Sequence, residues 1–460
     1  MDNRVNALIP LFLAQMFKFF SHYGVRAIFV LYLVQELGFT DANAFALNAV
    51  FIGLVELGGI FGGVLADRYL GLRQATFLGA VLLGAGYFAL IFEGALFIAM
   101  GFVIAGGSLF SSNITALVGQ IYAGGDPGRE RGFTIFYMVQ NLGALVSIFL
   151  CSVVAQTFGF QAGFACAATG MAPALFVLLL YRTSMPSFES EALKKNGAAA
   201  SIFGVAGLIG IGTLCLYGYS MVFQILPLLT GALFALFAVL LLRDSRIGSR
   251  RVFALFVYLG ALVVFFAIQD QICSSLVLFS ERATMRVFLG WEIPSALISC
   301  VNPVVIILVG TSLVGSKENL WAPFLISAAM FCLLAFSCLL RIDVTIFGVM
   351  AVVAAVSVAE LMLGPMVMSF ASEVAALGRP GMVMGIVPIA YSLAFQMSAA
   401  VGLIVAMDDQ SSALDIYGTG FLIIAGLLCG GGLLFQLLGK RTQIKLIPNL
   451  KTSPNQEVFK

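Results

Sequence analysis

Long apolar runs dominate the chain. About 20 apolar residues suffice for a helix to cross a bilayer. Runs of that kind fall near residues 8–34, 43–65, 75–92, 95–121, 132–156, 160–181, 201–220, 222–242, 252–279, 294–314, 324–340, 345–372, 382–406 and 417–438. They predict an all-α polytopic membrane protein with about 14 transmembrane helices, and an even number puts both termini on one side. One stretch breaks the pattern. RTSMPSFESEALKKNGAAAS, 182–201, is polar and reads as a linker; two runs with almost no polar residues follow, then the basic return RDSRIGSRR, 243–251. The expected organisation is a six-helix bundle over 1–182, a linker with two extra transmembrane helices over 183–251, a second six-helix bundle over 252–439 and a cytoplasmic tail over 440–460.

The polar positions inside the runs are not scattered evenly. With the inserted pair left out of the count, span 1 carries Lys18, His22 and Arg26, and span 2 carries Glu56. Span 4 has Ser111, Ser112 and Asn113, and span 5 has Gln140 and Asn141. Span 7 has Gln269, Asp270 and Gln271; spans 8, 10 and 11 have Asn302, Glu360 and Gln396. Spans 3, 6, 9 and 12 have no charged or amide residue at mid-span. Charged groups in hydrocarbon are expensive, so they must face protein or a water-filled cavity. Eight helices therefore surround a wet cavity, and every third helix packs outside. A three-helix period repeated in two halves is the internal-repeat pattern of rocking secondary transporters, and points to the major facilitator fold. Lys18, His22 and Arg26 recur every four residues, which places a cationic stripe on one helical face.

Composition narrows this further. The chain is 61% hydrophobic and 10% charged, far below the roughly 25% charge of soluble domains, and its net charge of +2 comes with no basic nucleic-acid motif. No nucleic-acid partner is expected. The eight cysteines lie in apolar segments without metal-ligand spacing and read as small buried hydrophobes. No metal site, phosphate loop or nucleophile–base pair is visible, so no cofactor and no enzyme chemistry are expected. The N-terminal run lacks a small-residue cleavage site and is interrupted by Lys18, so it reads as an uncleaved first span. With the N-terminus inside, nineteen of the 24 Lys and Arg fall in inside segments and three, Arg282, Arg286 and Arg341, in outside loops. The positive-inside rule therefore predicts cytoplasmic N and C termini.

The turn between spans 2 and 3, GGVLADRYLGLRQATFLGA over 62–80, combines glycines for close helix approach with Asp67, Arg68 and Arg73, the expected gate residues. GGVLADRYLG resembles the signature of the proton-dependent oligopeptide transporter family of the major facilitator superfamily. So do GFTIFYMVQNLGAL, 132–145, GWEIPSALISCVNPVVIIL, 290–308, AELMLGP, 359–365, and SHYGVRAIFVLYL, 21–33. The inserted pair of helices matches the family's bacterial members. The resemblance implies a bacterial inner-membrane protein, a monomer in the lipid bilayer, with a peptide-like small molecule as substrate and protons as the coupling ion. The arginine matching Arg26 would face the substrate carboxylate and the glutamate matching Glu360 the substrate amine, while Tyr23, Asn141 and Asn302 are also retained. The sequence departs from the family where Glu-x-x-Glu-Arg is expected, at Gln15, Met16, Phe17, Lys18 and Phe19. Further departures are Ser111 for the span 4 lysine, Asp270 for the span 7 glutamate, Val387 for a tryptophan, and Glu56 and His22 for tyrosines.

The expected substrate-binding set is thus Arg26, Tyr23, His22, Glu56, Asn141, Asn302 and Glu360. The residues open to proton coupling are Lys18, His22, Glu56, Asp270 and Glu360. His22 reads as a pocket wall, a proton carrier or a hydrogen-bonded structural residue, and Lys18 as a counter-ion for Glu56 or Asp270. Three functions stay open: a proton-coupled transporter of a small zwitterion, foremost di- and tripeptides; a facilitator or exchanger of another amphoteric or anionic metabolite; and a receptor or scaffold that kept the fold without transport.

Overall fold

The computed structural model describes residues 3–92, 94–122, 129–181, 193–244, 247–313, 320–376, 380–407 and 413–442. Residues 182–192 of the stretch 182–201 expected as a linker, and the tail beyond 442, lie outside these residues; the rest of that stretch, 193–201, is helical. Seven helices form the first half: α1 Asn3–Leu31, α2 Asp41–Leu65, α3 Leu72–Ala89, α4 Leu96–Ile121, α5 Arg129–Phe158, α6 Phe160–Ala168 and α7 Met171–Leu180. The inserted pair is α8 Leu193–Tyr217 and α9 Tyr219–Leu242. The second half holds α10 Ser249–Gln269, α11 Ser275–Ala283, α12 Val301–Leu313, α13 Ala322–Leu339, α14 Ile346–Ala376, α15 Pro380–Gly402 and α16 Ala413–Thr442. A two-residue-per-strand hairpin, β1 Val287–Phe288 and β2 Trp291–Glu292, joins α11 to the segment before α12. Its turn is Leu289-Gly290, both at positive φ, the geometry a tight hairpin needs.

Among the described residues, twelve helical segments are long and apolar enough to cross a membrane. The other two of the fourteen expected spans are α3, whose first turn carries Arg73 and Gln74, and the shorter apolar stretch Ser295–Gly310. Three expected spans are broken. Span 6 divides at Thr169-Gly170 into α6 and α7, and span 8 enters as a 3-10 turn over Ser295–Cys300. Span 7 is interrupted by a 3-10 turn over Asp270–Cys273, where Ser274 leaves helical geometry at φ −130° and ψ −96°. Such a break frees backbone carbonyls, which must be satisfied locally. Ser274 Oγ donates to Asp270 O at 3.1 Å, and Ser299 Oγ donates to Ile272 O at 3.0 Å. The Gln271 amide fastens the turn to α15, donating to Ser398 O at 2.9 Å.

Helix α3 is held by close backbone packing. A Cβ at Gly79 would lie 2.7 Å from Phe110 N, and one at Gly106 would lie 2.6 Å from Leu83 N. Two helices can approach this closely only where both present small residues. The inserted pair turns through Gly218 alone and exposes large side chains such as Phe203, Leu214 and Leu228. Two of its hydroxyls are placed inward. Thr213 of α8 sits against Gly101 of α4, and buried Thr230 of α9 accepts a 3.0 Å bond from Gln396 Nε2 of α15. The pair therefore touches both halves of the protein.

The two halves meet tightly at one end. Thr40 caps α2 by accepting from Asn43 N at 3.3 Å, which sets Asp41 in the first turn, where the helix dipole favours a carboxylate. Arg282 of α11 grips both Asp41 oxygens at 2.7 Å, and Met407 N donates to Oδ2 at 3.3 Å. Nearby, Gln156 of α5 donates to the carbonyl of Glu292 at 3.0 Å, and Phe45 of α2 packs on Gly402 of α15.

Replacing Gly79 with valine is expected to lower the melting temperature of the purified protein, because overpacking a close contact costs about 1–3 kcal/mol. Wild-type melting of Gly79→Val would mean that α3 and α4 can separate without loss.

Candidate functional site

Between the halves lies a polar cavity of about 540 Å3. Its wall comes from α1, α2, α4, α5, α10 with the turn after it, the entry to α12, α14 and α15. No residue of α3, α6, α7, α13 or α16 lines it. These are spans 3, 6, 9 and 12, those without charged or amide groups at mid-span. The lining extends from Asp270 and Phe395 toward Thr115, Tyr137 and Met368, and these last three are exposed. The cavity is thus shut at the Asp41 end and open toward the end carrying Asp67.

At its head, Arg26 of α1 forms an ion pair with Asp270. The two groups come from opposite halves and are 9% and 1% exposed. Ser398 Oγ of α15 donates to the other carboxylate oxygen at 2.7 Å. The guanidinium also lies over Phe395, 5.1 Å from the ring centroid, and 5.8 Å from that of Tyr23. Arg26 Nε is buried without a partner. The span 7 break matters here, because it turns the residue after Gln269 across the cavity head while Gln271 anchors the turn. Sequence inspection picks out Asp270 but not its assignment to Arg26.

A second polar cluster belongs to the second half. Glu360 Oε2 accepts from Asn302 Nδ2 at 2.7 Å and from Gln269 Nε2 at 3.1 Å, and Asn302 Nδ2 also reaches Ser357 Oγ at 3.0 Å. Amides thus orient the carboxylate without supplying a counter-charge. Asn141 lines the cavity with its amide nitrogen on its own helix, at Tyr137 O, 2.9 Å away. Tyr23 lines it with its ring stacked on Phe19.

His22, Lys18 and the gate residues take different places relative to the cavity. His22 is not part of the cavity wall. Its Nδ1 lies 3.3 Å from Tyr87 Oη on α3 and its ring meets Tyr23 edge-on. A ring nitrogen inside a bundle needs a polar partner, and Tyr87, itself buried, supplies one. Lys18 does line the cavity, but it pairs with neither Glu56 nor Asp270: Arg26 holds Asp270, and Lys18 stands 4.6 Å from the ring centroid of Phe19. The gate residues are remote from the cavity wall. Asp67 and Arg68 lie exposed on a π-helical turn, Ala66–Leu70, and Arg73 opens α3. Gly71 closes that turn at φ +78°, its N–H donating to Ala66 O at 2.7 Å. This left-handed position explains the glycine of the motif.

Some functional groups carried no sequence signal. Ser398 is one serine among many in an apolar run, and nothing local marks it as the partner of Asp270. Arg282 registers only as an outside-loop cation, and Asp41 draws no attention in the sequence. The Arg282–Asp41 pair joins positions 241 residues apart.

Comparison with known proteins places this geometry. Residues 74–416 match the model of the POT family. An uncharacterized transporter of Bacillus subtilis (strain 168) is 29% identical over 321 residues, which is 65% of each chain. Dipeptide and tripeptide permease B of Xenorhabdus bovienii (strain SS-2004) is 28% identical over 311 residues, 65% of this chain and 63% of the permease. The matched stretch thus spans slightly less than two thirds of these relatives. Among solved structures, a peptide transporter POT in complex with sulfate superposes with a TM-score of 0.83 at 25% identity, over 95% of this chain and 94% of the other. The family match starts just after Arg73, so span 1 with its altered charges lies outside it. It nevertheless covers well over half of the sequence, and the chain belongs to the POT family.

Proposed function

We propose that this protein is a secondary transporter that moves a small zwitterionic solute, foremost a di- or tripeptide, by alternating access with proton coupling at Asp270. The observation that carries this is the buried Arg26–Asp270 pair, which joins the two halves at the shut head of a polar cavity. Membership in a family that includes dipeptide and tripeptide permeases supports the substrate class.

The cycle follows from the charges. A substrate carboxylate that enters from the open end competes with Asp270 for the Arg26 fork, which suits planar bidentate partners. If it wins, Asp270 is left buried with only Ser398. An uncompensated buried carboxylate is strongly unfavourable, and a proton from the cavity water relieves it. The substrate amine finds Glu360, held ready by Asn302 and Gln269. Proton and substrate thereby enter together, and a neutral Asp270 no longer ties the halves at this point. Bundles 1–182 and 252–439 then rock as units. In the orientation favoured by the basic residues, with both termini in the cytoplasm of a bacterial inner membrane, the Asp41 end faces outward and the cavity opens inward. Asp67, Arg68 and Arg73 then belong to the cytoplasmic gate. The chain needs no second copy for this cycle.

One observation favours a second reading. Span 1 has Gln15 and Lys18 where the family carries carboxylates. Proton coupling that depends on those carboxylates is absent, and a facilitator needs none. The test separates the two. In proteoliposomes with an imposed pH gradient, the wild type should concentrate a dipeptide. Asp270→Asn, which mimics the protonated state, should lose concentrative uptake while keeping counterflow exchange. A wild type that only equilibrates the dipeptide establishes the facilitator reading instead.

The Asp41–Arg282 pair yields a second expectation. Truncating one partner of such a buried pair costs about 2–5 kcal/mol, comparable with the few kcal/mol that separate conformers. Arg282→Ala should therefore raise the population open at the Asp41 end about tenfold or more. The readout is the labelling rate of Cys273, a cavity-wall cysteine kept as the sole thiol, with an impermeant reagent added from the Asp41 side. An unchanged rate would mean that the pair only organises loops.

A further inference from the structure

The charged groups of the cavity wall fall into two kinds. Arg26 and Asp270 hold each other, and Glu360 is held by two amides. Lys18 of α1 and Glu56 of α2 differ from these. Both line the cavity, and neither makes a hydrogen bond or an ion pair among the described residues. Glu56 lines the same cavity from the neighbouring helix, and no ion pair joins it to Lys18 among the described residues. Lys18 has only 6% of its surface exposed, yet its ammonium is not among the sealed, partnerless atoms, which include Arg26 Nε and Gln15 Oε1. The ammonium therefore reaches the cavity water. A lysine kept for structure inside a bundle is paired; an unpaired one facing a cavity marks a ligand path.

We propose that Lys18 is an anion anchor for a second acidic group of the substrate, so that the preferred solute is a peptide-sized zwitterion with an additional carboxylate. This rests on the transport reading above and narrows its substrate class. Arg26 takes the main-chain carboxylate of such a solute when Asp270 yields, and Glu360 takes the amine. Lys18 lies two helical turns from Arg26 on the same helix and faces the same cavity, so it is placed for a side-chain acid. A neutral dipeptide offers Lys18 no acidic partner. Glu56 supplies the nearby opposite charge that makes the unloaded lysine tolerable in the membrane.

The test is a binding titration on the purified full chain with alanyl-glutamate, alanyl-alanine and glutarate. A hydrogen bond between charged groups predicts that alanyl-glutamate binds about 10- to 100-fold more tightly than alanyl-alanine. In Lys18→Gln this ratio should fall close to unity, and Lys18→Arg should restore most of it. A wild-type ratio near unity, or a preference that survives Lys18→Gln, overturns the assignment. If no dipeptide binds but glutarate binds in a Lys18-dependent manner, the anchor stands and the peptide reading falls. If neutral peptides bind and neither acid depends on Lys18, the transport reading stands and the anchor falls.

Discussion

The buried ion pair between Arg26 and Asp270 is the constraint around which the rest of this protein is arranged. Neither charge could stay in the membrane interior alone, and each belongs to a different half. Their attraction therefore acts as a bond between two bodies that share few other polar contacts at mid-membrane. The break in span 7 exists where the pair needs it: a continuous helix would not turn Asp270 to the cavity head with Gln271 anchored on α15. Ser398, the aromatic faces of Tyr23 and Phe395, and the serines that satisfy the broken backbone all complete this one contact. In the proposed cycle what makes the pair stable also makes it convertible, since a ligand carboxylate that replaces one partner changes the charge state required of the other.

Much of this was legible from the sequence because hydrocarbon enforces simple rules. The cost of a polar group in lipid made the cavity-lining helices readable from Glu56, Asn141, Asp270, Asn302 and Glu360, and the same rule set spans 3, 6, 9 and 12 outside. The fold class followed from run length and the three-helix period. What escaped was decided by partners distant in the chain. His22 and Arg26 share a periodic stripe with Lys18, but periodicity cannot tell that Tyr87 will take the imidazole or that Asp270 will take the guanidinium. The break at Asp270 was hidden for a similar reason. QDQ reads as three polar residues in an otherwise uniform apolar run, and the side chains of Gln271, Ser274 and Ser299 make a non-helical turn tolerable there.

The inserted pair tests how far hydropathy can be taken. Its near lack of polar residues suggests an appendage that only meets lipid, and its outer faces fit that description. Yet two of its few polar side chains are used: Thr213 lies against Gly101 in the first half, and Thr230 binds Gln396 in the second. The Thr230 hydroxyl serves two helices at once, donating to Leu226 O of its own helix at 2.8 Å while accepting from Gln396 of α15.

Asp41 gathers three bonds from two separate segments onto one carboxylate at the shut end: two from Arg282 and one from the backbone of Met407. Three independent contacts could break one by one, and the mouth would then widen through partly open forms that leak. Contacts that share one acceptor lose their registry together once the α2 terminus shifts, so this part of the seal fails as a unit. A membrane that must hold an ion gradient gains from that abruptness, since leakage accumulates in intermediate widths.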